Sequence, residues 1–181
     1  MKAACLELLD ILDEKYIQLK DYLDTKGEQV SHTIPGEGKW SAAMTVHHLM
    51  IAEAGGLAYC QKKLSFNPTL EEANPDQIKM ESKLPYMLRS SKYKAVAPPG
   101  LGAEYLNNEL PLEELFSEWK TQRDGLKQFI QNQPETLFSK ALYKHPLAGK
   151  MRLQGMLMFF EGHLDSHTNQ IKENYTSMGV V

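Results

Sequence analysis

The sequence predicts an all-α protein that folds as a four-helix bundle with a long crossover between helices two and three. Three observations support this prediction. Four segments carry apolar residues at three- and four-residue steps, no segment shows convincing strand alternation, and one long connection separates two of the helical segments. At 181 residues the chain is long enough for one well-packed core, so we expect a single domain over residues 1–181.

The first two helices follow from their apolar stripes and their end signals. Helix one carries a stripe of apolar residues from Cys5 to Leu23, and Gly27 then provides a stop signal. A loop rich in glycine and proline follows. Ser41 is a good N-cap for helix two, which we expect to reach about residue 63.

Helices three and four are marked by proline and by further apolar stripes. Pro111 suits the first position of helix three, because proline lacks the N–H that would be unpaired there, and Pro134 ends that helix. Helix four runs from about residue 152 to residue 175. A shorter helix is predicted for residues 75–89, inside the crossover.

The crossover between helices two and three covers roughly residues 65–110. Its segment at residues 97–100, APPG, is incompatible with regular structure. A connection of this length is more often a functional lid or a pocket wall than slack chain. Tyr86, Arg89 and Pro98 are examples of crossover residues that would then line a pocket, and the sequence does not decide among them.

Composition and charge argue against several classes of protein. A net charge of −3 gives no electrostatic footprint for nucleic acid or an anionic membrane, and no apolar run approaches the roughly 18 residues of a membrane span. Cys5 and Cys60 are too few and too far apart for a disulfide framework, so we expect both to be buried, apolar and reduced. The expected location is the cytoplasm, and the expected partner is a small molecule.

Two histidines one turn apart on helix four are the first candidate site. At about 100° per residue, His163 and His167 are about 40° apart, and Gln170 continues the same line. All three lie at the edge of the core-facing surface, whereas Asp165 lies on the far face. The spacing therefore leaves two interpretations, a metal-ligand pair and two hydrogen-bonded core residues.

Helix two supplies a third histidine that favours the metal interpretation over core packing. His48 shares an arc of small and apolar residues that should face the bundle interior, while His47 points about 100° away. The arc consists of Met44, Ile51, Ala52, Gly55 and Tyr59, and Gly55 with Gly56 should leave room beside the site. We therefore predict a metal site formed by His48, His163 and His167, in which His47 replaces His48 if the helical phase is misjudged.

The remaining two histidines are weaker candidates. His32 lies in a loop rich in glycine and proline, where solvent exposure explains it. His145 lies just before helix four, where it either flanks a pocket or caps a loop.

Two motifs in this order resemble the DinB-like superfamily, also called YfiT-like metal-dependent hydrolases. The first is KWSAAMTVHHL at residues 39–49, and the second is GHLDSHTNQI at residues 162–171. HPLAGK at residues 145–150 is similar to one branch of that family, and the resemblance covers nearly the whole chain. It implies His48, His163 and His167 as the ligands. Gln170 matches the glutamine of the motif, and Trp40, Tyr59 and Gln170 are the candidates for residues that support the ligands or line the pocket.

Three histidine ligands predict an open, catalytic type of site. They leave a coordination position for a metal-bound water or thiolate, and no protein residue is assigned as the catalytic nucleophile. Zinc and nickel are the favoured ions, and iron and manganese remain alternatives. The segment is not a metalloprotease motif, because Leu164 stands where the catalytic glutamate would follow His163. Glu53 should point about 140° away from His48.

Two functional hypotheses follow from the sequence and the resemblance. The first is a metal-dependent enzyme that activates a thiol or water for transfer to a small electrophile, of the thiol S-transferase or hydrolase type. The family resemblance suggests a low-molecular-weight thiol as one substrate. The alternative is a non-catalytic metal- or ligand-binding module, with a role in stress response or in protein interaction. Dimerisation is common in the family, so the resemblance also allows a homodimer.

Overall fold

The four long helices predicted from the sequence are present in the computed structural model, which describes residues 1–90 and 102–180. The helices are α1 (Lys2–Lys26), the short α2 (Glu28–Ser31), α3 (Ala42–Ser65), α4 (Pro75–Arg89), α5 (Leu112–Asn132) and α6 (Leu153–Ser177). Short 3-10 turns lie at Ala103–Tyr105 and Glu135–Ser139. In the bundle α1 contacts α5 and α6, α3 contacts the same two helices, and α4 packs along α6.

The helix ends agree closely with the signals in the sequence. Ser41 caps α3 by accepting a hydrogen bond from the backbone N–H of Met44, and Gly27 ends α1 with a positive φ of 84°. The predicted crossover helix has the expected bounds, and Asn74 begins it with a capping box. Helix α5 begins one residue later than predicted, because Pro111 has the extended ψ of 143° that suits a cap.

The all-α four-helix bundle predicted from the sequence is confirmed, and a short β-hairpin that the sequence analysis did not identify precedes α6. Strands β1 (Tyr143–His145) and β2 (Gly149–Met151) pair antiparallel. Tyr143 and His145 are buried while Lys144 between them is exposed, which is regular strand alternation. Three residues are too few for that alternation to be recognised in a sequence.

A buried ion pair joins α3 and α5 inside the apolar core. The carboxylate of Glu53 accepts hydrogen bonds from Trp119 Nε1 at 2.9 Å and from Arg123 at 2.7 and 2.9 Å. The guanidinium of Arg123 also donates to the carbonyl of Leu12. Both charges are therefore compensated away from water, as buried charges require. The prediction that Glu53 points away from His48 is confirmed by this arrangement.

Helix α4 lies close to α6 because two glycines of α6 leave space for it. A Cβ atom at Gly162 would be 2.7 Å from Pro85 Cα, and one at Gly155 would be 2.3 Å from Glu81 Cγ. The buried Glu81 carboxylate accepts hydrogen bonds from the backbone N–H and the guanidinium of Arg152 at 2.6–3.2 Å. These contacts fix the first half of the crossover against α6.

The cysteines are buried as expected, and both are free thiols. Within residues 1–90 and 102–180, no helix has the length and apolar character needed to cross a membrane. The cytoplasmic location stays a prediction.

We expect Gly162→Ala to destabilise the protein by about 1–3 kcal/mol, because the added methyl group would collide with the backbone of Pro85. Gly125→Ala is the matched control. A Cβ at Gly125 meets nothing within 4 Å, so alanine should stabilise α5 by about 0.5–1 kcal/mol through helix propensity. Urea unfolding followed by circular dichroism measures both changes. Equal effects of the two substitutions would contradict the close approach of α4 and α6.

Candidate metal centre

The three histidines of the predicted site meet between α3 and α6. His48 lies in the second turn of α3, and His163 and His167 lie on successive turns of α6. Their Nε2 atoms point towards one another. The distance from His48 Nε2 to His163 Nε2 is 3.1 Å, and that from His163 Nε2 to His167 Nε2 is 3.0 Å. One ligand atom from each of the three histidines lies within 4.8 Å of the others.

This spacing fits a small divalent ion. Bonds of about 2.0–2.1 Å at tetrahedral angles would separate two imidazole nitrogens by about 3.3–3.4 Å. The observed separations of 3.0 and 3.1 Å are within a few tenths of an ångström of that value. The donor set, three imidazoles from two rigid helices, is therefore compatible with a metal in both chemistry and spacing.

His163 and His167 are neutral at physiological pH, because both imidazoles have lowered pKa values. The pKa of His163 lies well below its usual value. Burial is the main cause, and repulsion that His167, His48 and His145 would exert on a protonated His163 adds to it. Burial and the charge on His48 lower the pKa of His167 to about 4. His48 is 4% exposed, and the other two are half-buried. A neutral imidazole is the form that binds metal ions, so neither His163 nor His167 has to lose a proton at pH 7 before binding.

Gln170 fixes the tautomer of His167. Its Oε1 accepts a hydrogen bond from Nδ1 of His167 at 2.8 Å. Because an amide oxygen only accepts, Nδ1 carries the proton and Nε2 keeps its lone pair. Outer hydrogen bonds of this kind orient metal-binding histidines in many proteins. The structure places Gln170 beside His167, and its role in supporting a ligand stays a prediction.

Aromatic rings cover the cluster on two sides. The ring of Trp40 is 4.9 Å from that of His48 and stacks on His167 at 6.0 Å with an interplanar angle of 20°. The ring of Phe159 stacks on His163 at 5.2 Å and 19°. Trp40, a candidate supporting or pocket residue, therefore contacts two histidines of the cluster, and Phe159, which was not a candidate, contacts the third. The signal was available, because Phe159 lies one turn before His163 on the same face of the helix.

The C-terminal half of α3 does not extend the site, contrary to the sequence analysis. Tyr59 lies about 16 Å along the helix axis from His48, and its ring contacts that of Tyr143 at 5.8 Å. Gly55 is exposed, and the space beside Gly56 is taken by Phe160, whose Cζ would be 2.6 Å from an added Cβ. The expectation of room beside the site at these glycines was therefore wrong, because a side chain of α6 fills it.

His47 and His32 bind the C-terminal end of the crossover, at Asn107 and Asn108, and do not join the cluster. Nδ1 of His47 accepts a hydrogen bond from the backbone N–H of Asn107 at 3.0 Å. His32 is half-buried rather than exposed, and it bonds the carbonyl of Asn108 and the carboxylate of Glu28. The two asparagines were missed in the sequence, where only their turn-forming composition before Pro111 marks them.

The structure describes two of the three crossover residues that were named as examples of pocket-lining residues, Tyr86 and Arg89. The side chain of Tyr86 is 77% exposed. Arg89 donates hydrogen bonds to Glu161 and Asp165, which also bind Lys15. Pro98 and the APPG segment lie outside the described residues.

His145 caps a turn, as one of its two sequence interpretations proposed. Its Nδ1 accepts hydrogen bonds from the backbone N–H groups of Leu147 and Ala148, each at 3.2 Å. Burial lowers the pKa of His145 to about 4.

Comparison with known proteins identifies related folds and sequences. The family model of the DinB superfamily matches residues 12–171, which confirms the resemblance seen in the two motifs. A solved structure of YfiT from Bacillus subtilis, described as a probable metal-dependent hydrolase with an unusual four-helix bundle topology, superposes with a TM-score of 0.60. The two chains are 17% identical, and the match covers 98% of this chain and 89% of YfiT. At this identity the likeness establishes the four-helix-bundle fold. A search of curated proteins gave no significant match.

Gln170→Leu should change the tautomer of His167 in the metal-free protein. The substitution removes the acceptor for Nδ1–H, so the preference for a proton on Nδ1 should be lost. Long-range ¹H–¹⁵N NMR correlations of the imidazole nitrogens measure this directly. Asn169→Ala, at the exposed neighbouring position, is the control and should leave the His167 signals unchanged. An unaltered tautomer in Gln170→Leu would show that Gln170 does not orient His167.

Proposed function

This chain belongs to the DinB superfamily, and we propose that it is a metal-dependent enzyme acting on a small molecule. His48, His163 and His167 would hold one divalent ion. The observation that carries the proposal is the convergence of three imidazole Nε2 atoms from two packed helices. The description of YfiT, which shares the fold, as a probable metal-dependent hydrolase supports the same conclusion.

The ligand set favours a catalytic ion over a structural one. Structural zinc sites are closed by four protein ligands, commonly cysteines, whereas catalytic sites have three protein ligands and an open position. Here both cysteines, Cys5 and Cys60, are buried as free thiols outside the cluster. Imidazole suits zinc and nickel, which are the proposed ions, and iron or manganese would serve as alternatives.

The proposed reaction is transfer of a thiol or water to a small electrophile, as in a thiol S-transferase or a hydrolase. When bound, a divalent ion supplies Lewis acidity, which lowers the pKa of a coordinated thiol or water. Gln170 holds His167 in the tautomer that exposes Nε2. Trp40 and Phe159 shield the imidazoles from solvent and offer apolar surface to a substrate. A low-molecular-weight thiol is the proposed co-substrate.

One observation favours the alternative of a non-catalytic metal- or ligand-binding module. The carboxylates closest in sequence to the ligands are all engaged with cations. Glu53 pairs with Arg123, and Glu161 and Asp165 pair with Lys15 and Arg89. None of these three carboxylates is poised as a general base. A stress-response or interaction role would then use metal binding without turnover.

We keep homodimerisation as a further part of the proposal. Light scattering coupled to size-exclusion chromatography measures it.

Each of the three histidines should be necessary for metal binding. Freshly purified wild-type protein should contain about one zinc or nickel ion per chain by elemental analysis. His48→Ala, His163→Ala and His167→Ala should each weaken binding more than about 100-fold, beyond the range for residues that only support a ligand. His47→Ala is the matched control, because its Nδ1 bonds Asn107 and lies outside the cluster. Metal binding that survives all three substitutions in folded protein would refute the proposed centre.

Turnover should depend on the metal. Metal-free and metal-loaded protein would be assayed with cysteine and chlorodinitrobenzene for thiol transfer, and with p-nitrophenyl acetate for hydrolysis. The loaded wild type should react, while metal-free protein and folded His163→Ala should be at least about 100-fold slower, or more than 2.7 kcal/mol in activation free energy. Equal rates with and without metal, or no turnover by metal-loaded protein, would favour the non-catalytic module.

A further inference from the structure

A fourth imidazole lies beside the three-histidine cluster and has no part in the proposed function. His145 ends β1 and is 5% exposed. Its ring packs against Phe159 of α6, and Phe159 in turn packs against His163. The hairpin is therefore connected to one of the proposed ligands through a single aromatic side chain.

The turn of the hairpin fixes the orientation of His145. Two backbone N–H groups, those of Leu147 and Ala148, donate to its Nδ1. An acceptor nitrogen carries no proton, so the neutral ring is protonated at Nε2. Rotation of the ring would break both hydrogen bonds, which are partly buried, and breaking them is costly.

The fixed ring of His145 restrains Phe159. The two ring centroids are 4.4 Å apart with an interplanar angle of 61°, which is an edge-to-face arrangement. Phe159 presents its face to His163 at 5.2 Å and 19°. Contacts therefore run from the turn backbone through His145 and Phe159 to the plane of the His163 ring.

His163 depends on this support more than His167 does. His167 is oriented by the hydrogen bond from its Nδ1 to Gln170. For His163, the hydrogen bonds found among residues 1–90 and 102–180 involve Nε2, the atom that faces the cluster. Stacking on Phe159 is therefore the contact that sets the plane of the His163 ring on the side away from the cluster.

We propose that the β1–β2 hairpin is a positioning element of the metal centre, in which His145 holds Phe159 and Phe159 holds the plane of His163. This inference rests on the proposed function, since it requires His163 to be a ligand. His145 acts on the orientation of the His163 ring through Phe159 and is a positioning residue. Its loss should therefore alter the metal site in the same way as loss of the Phe159 ring.

The test measures Co²⁺ binding to the full-length, metal-free chain by visible absorption, with Zn²⁺ competition. His145→Asn keeps an oxygen that can accept the two turn N–H groups, as asparagine does in turns, but it removes the ring. Phe159→Leu keeps apolar volume but removes the flat face. Leu147→Ala, at a side chain that is 57% exposed in the same turn, is the control.

Each of the two single variants should weaken Co²⁺ binding about tenfold and shift the absorption bands. Tenfold is about the smallest loss of affinity that is typical when a residue supporting a metal ligand is replaced. Because His145 acts through Phe159, the double variant should bind no more weakly than Phe159→Leu alone. Leu147→Ala should match the wild type. Thermal unfolding by circular dichroism establishes that each variant is folded.

Unchanged Co²⁺ affinity and spectrum in both folded single variants would overturn the inference, even if their melting temperatures fell. Additive losses in the double variant would also overturn it, since His145 would then act independently of Phe159. If His145→Asn does not fold, Phe159→Leu decides by the same criterion. A wild type that binds no metal would refute the proposed function itself, which separates the two failures.

Discussion

The spacing between α3 and α6 is the constraint on which the histidine cluster depends, because His48 stands on one helix and its two partners stand on the other. Gly56 sets this spacing two turns further along α3. Phe160 lies so close to Gly56 that an added Cβ would be 2.6 Å from Cζ of the ring. A larger residue at that position would force the helices apart, and imidazole nitrogens that are now 3.1 Å apart would separate with them. Packing of Phe160 against Gly56 therefore contributes to the geometry of the histidine cluster.

The carboxylates near the cluster are paired with cations, so the donors of the cluster are imidazoles alone. Glu53 is neutralised by Arg123 on one side of α3, and Glu161 and Asp165 are neutralised by Lys15 and Arg89 on the far side of α6. An ion bound by three neutral imidazoles keeps its full positive charge. Such a centre would attract an anionic ligand or stabilise a thiolate, whereas carboxylate ligands would weaken both effects.

Much of the fold and the identity of the clustered histidines could be predicted from the sequence. Helical phase placed His163, His167 and Gln170 on one line, and the resemblance selected His48 rather than His47. The same reasoning failed for Gly55 and Tyr59, because periodicity identifies a face but not how far the neighbouring helix covers it. The strands of the hairpin are too short to be recognised, whereas the bonds of Asn107 and Asn108 and the contact of His145 with Phe159 join different elements of the fold. Such contacts are set by tertiary packing, which no local pattern encodes.

The glycine that precedes the first histidine of GHLDSHTNQI has a consequence for recognising distant relatives. Gly162 is required by the passage of α4, since Pro85 occupies the space of its missing side chain. The histidine cluster itself has no contact that requires glycine at this position. Relatives whose crossover takes another course are free to carry a larger residue there while retaining the same ligands. A search pattern built on the histidines and the glutamine alone would find those relatives, whereas one that includes the glycine would select for the path of the crossover.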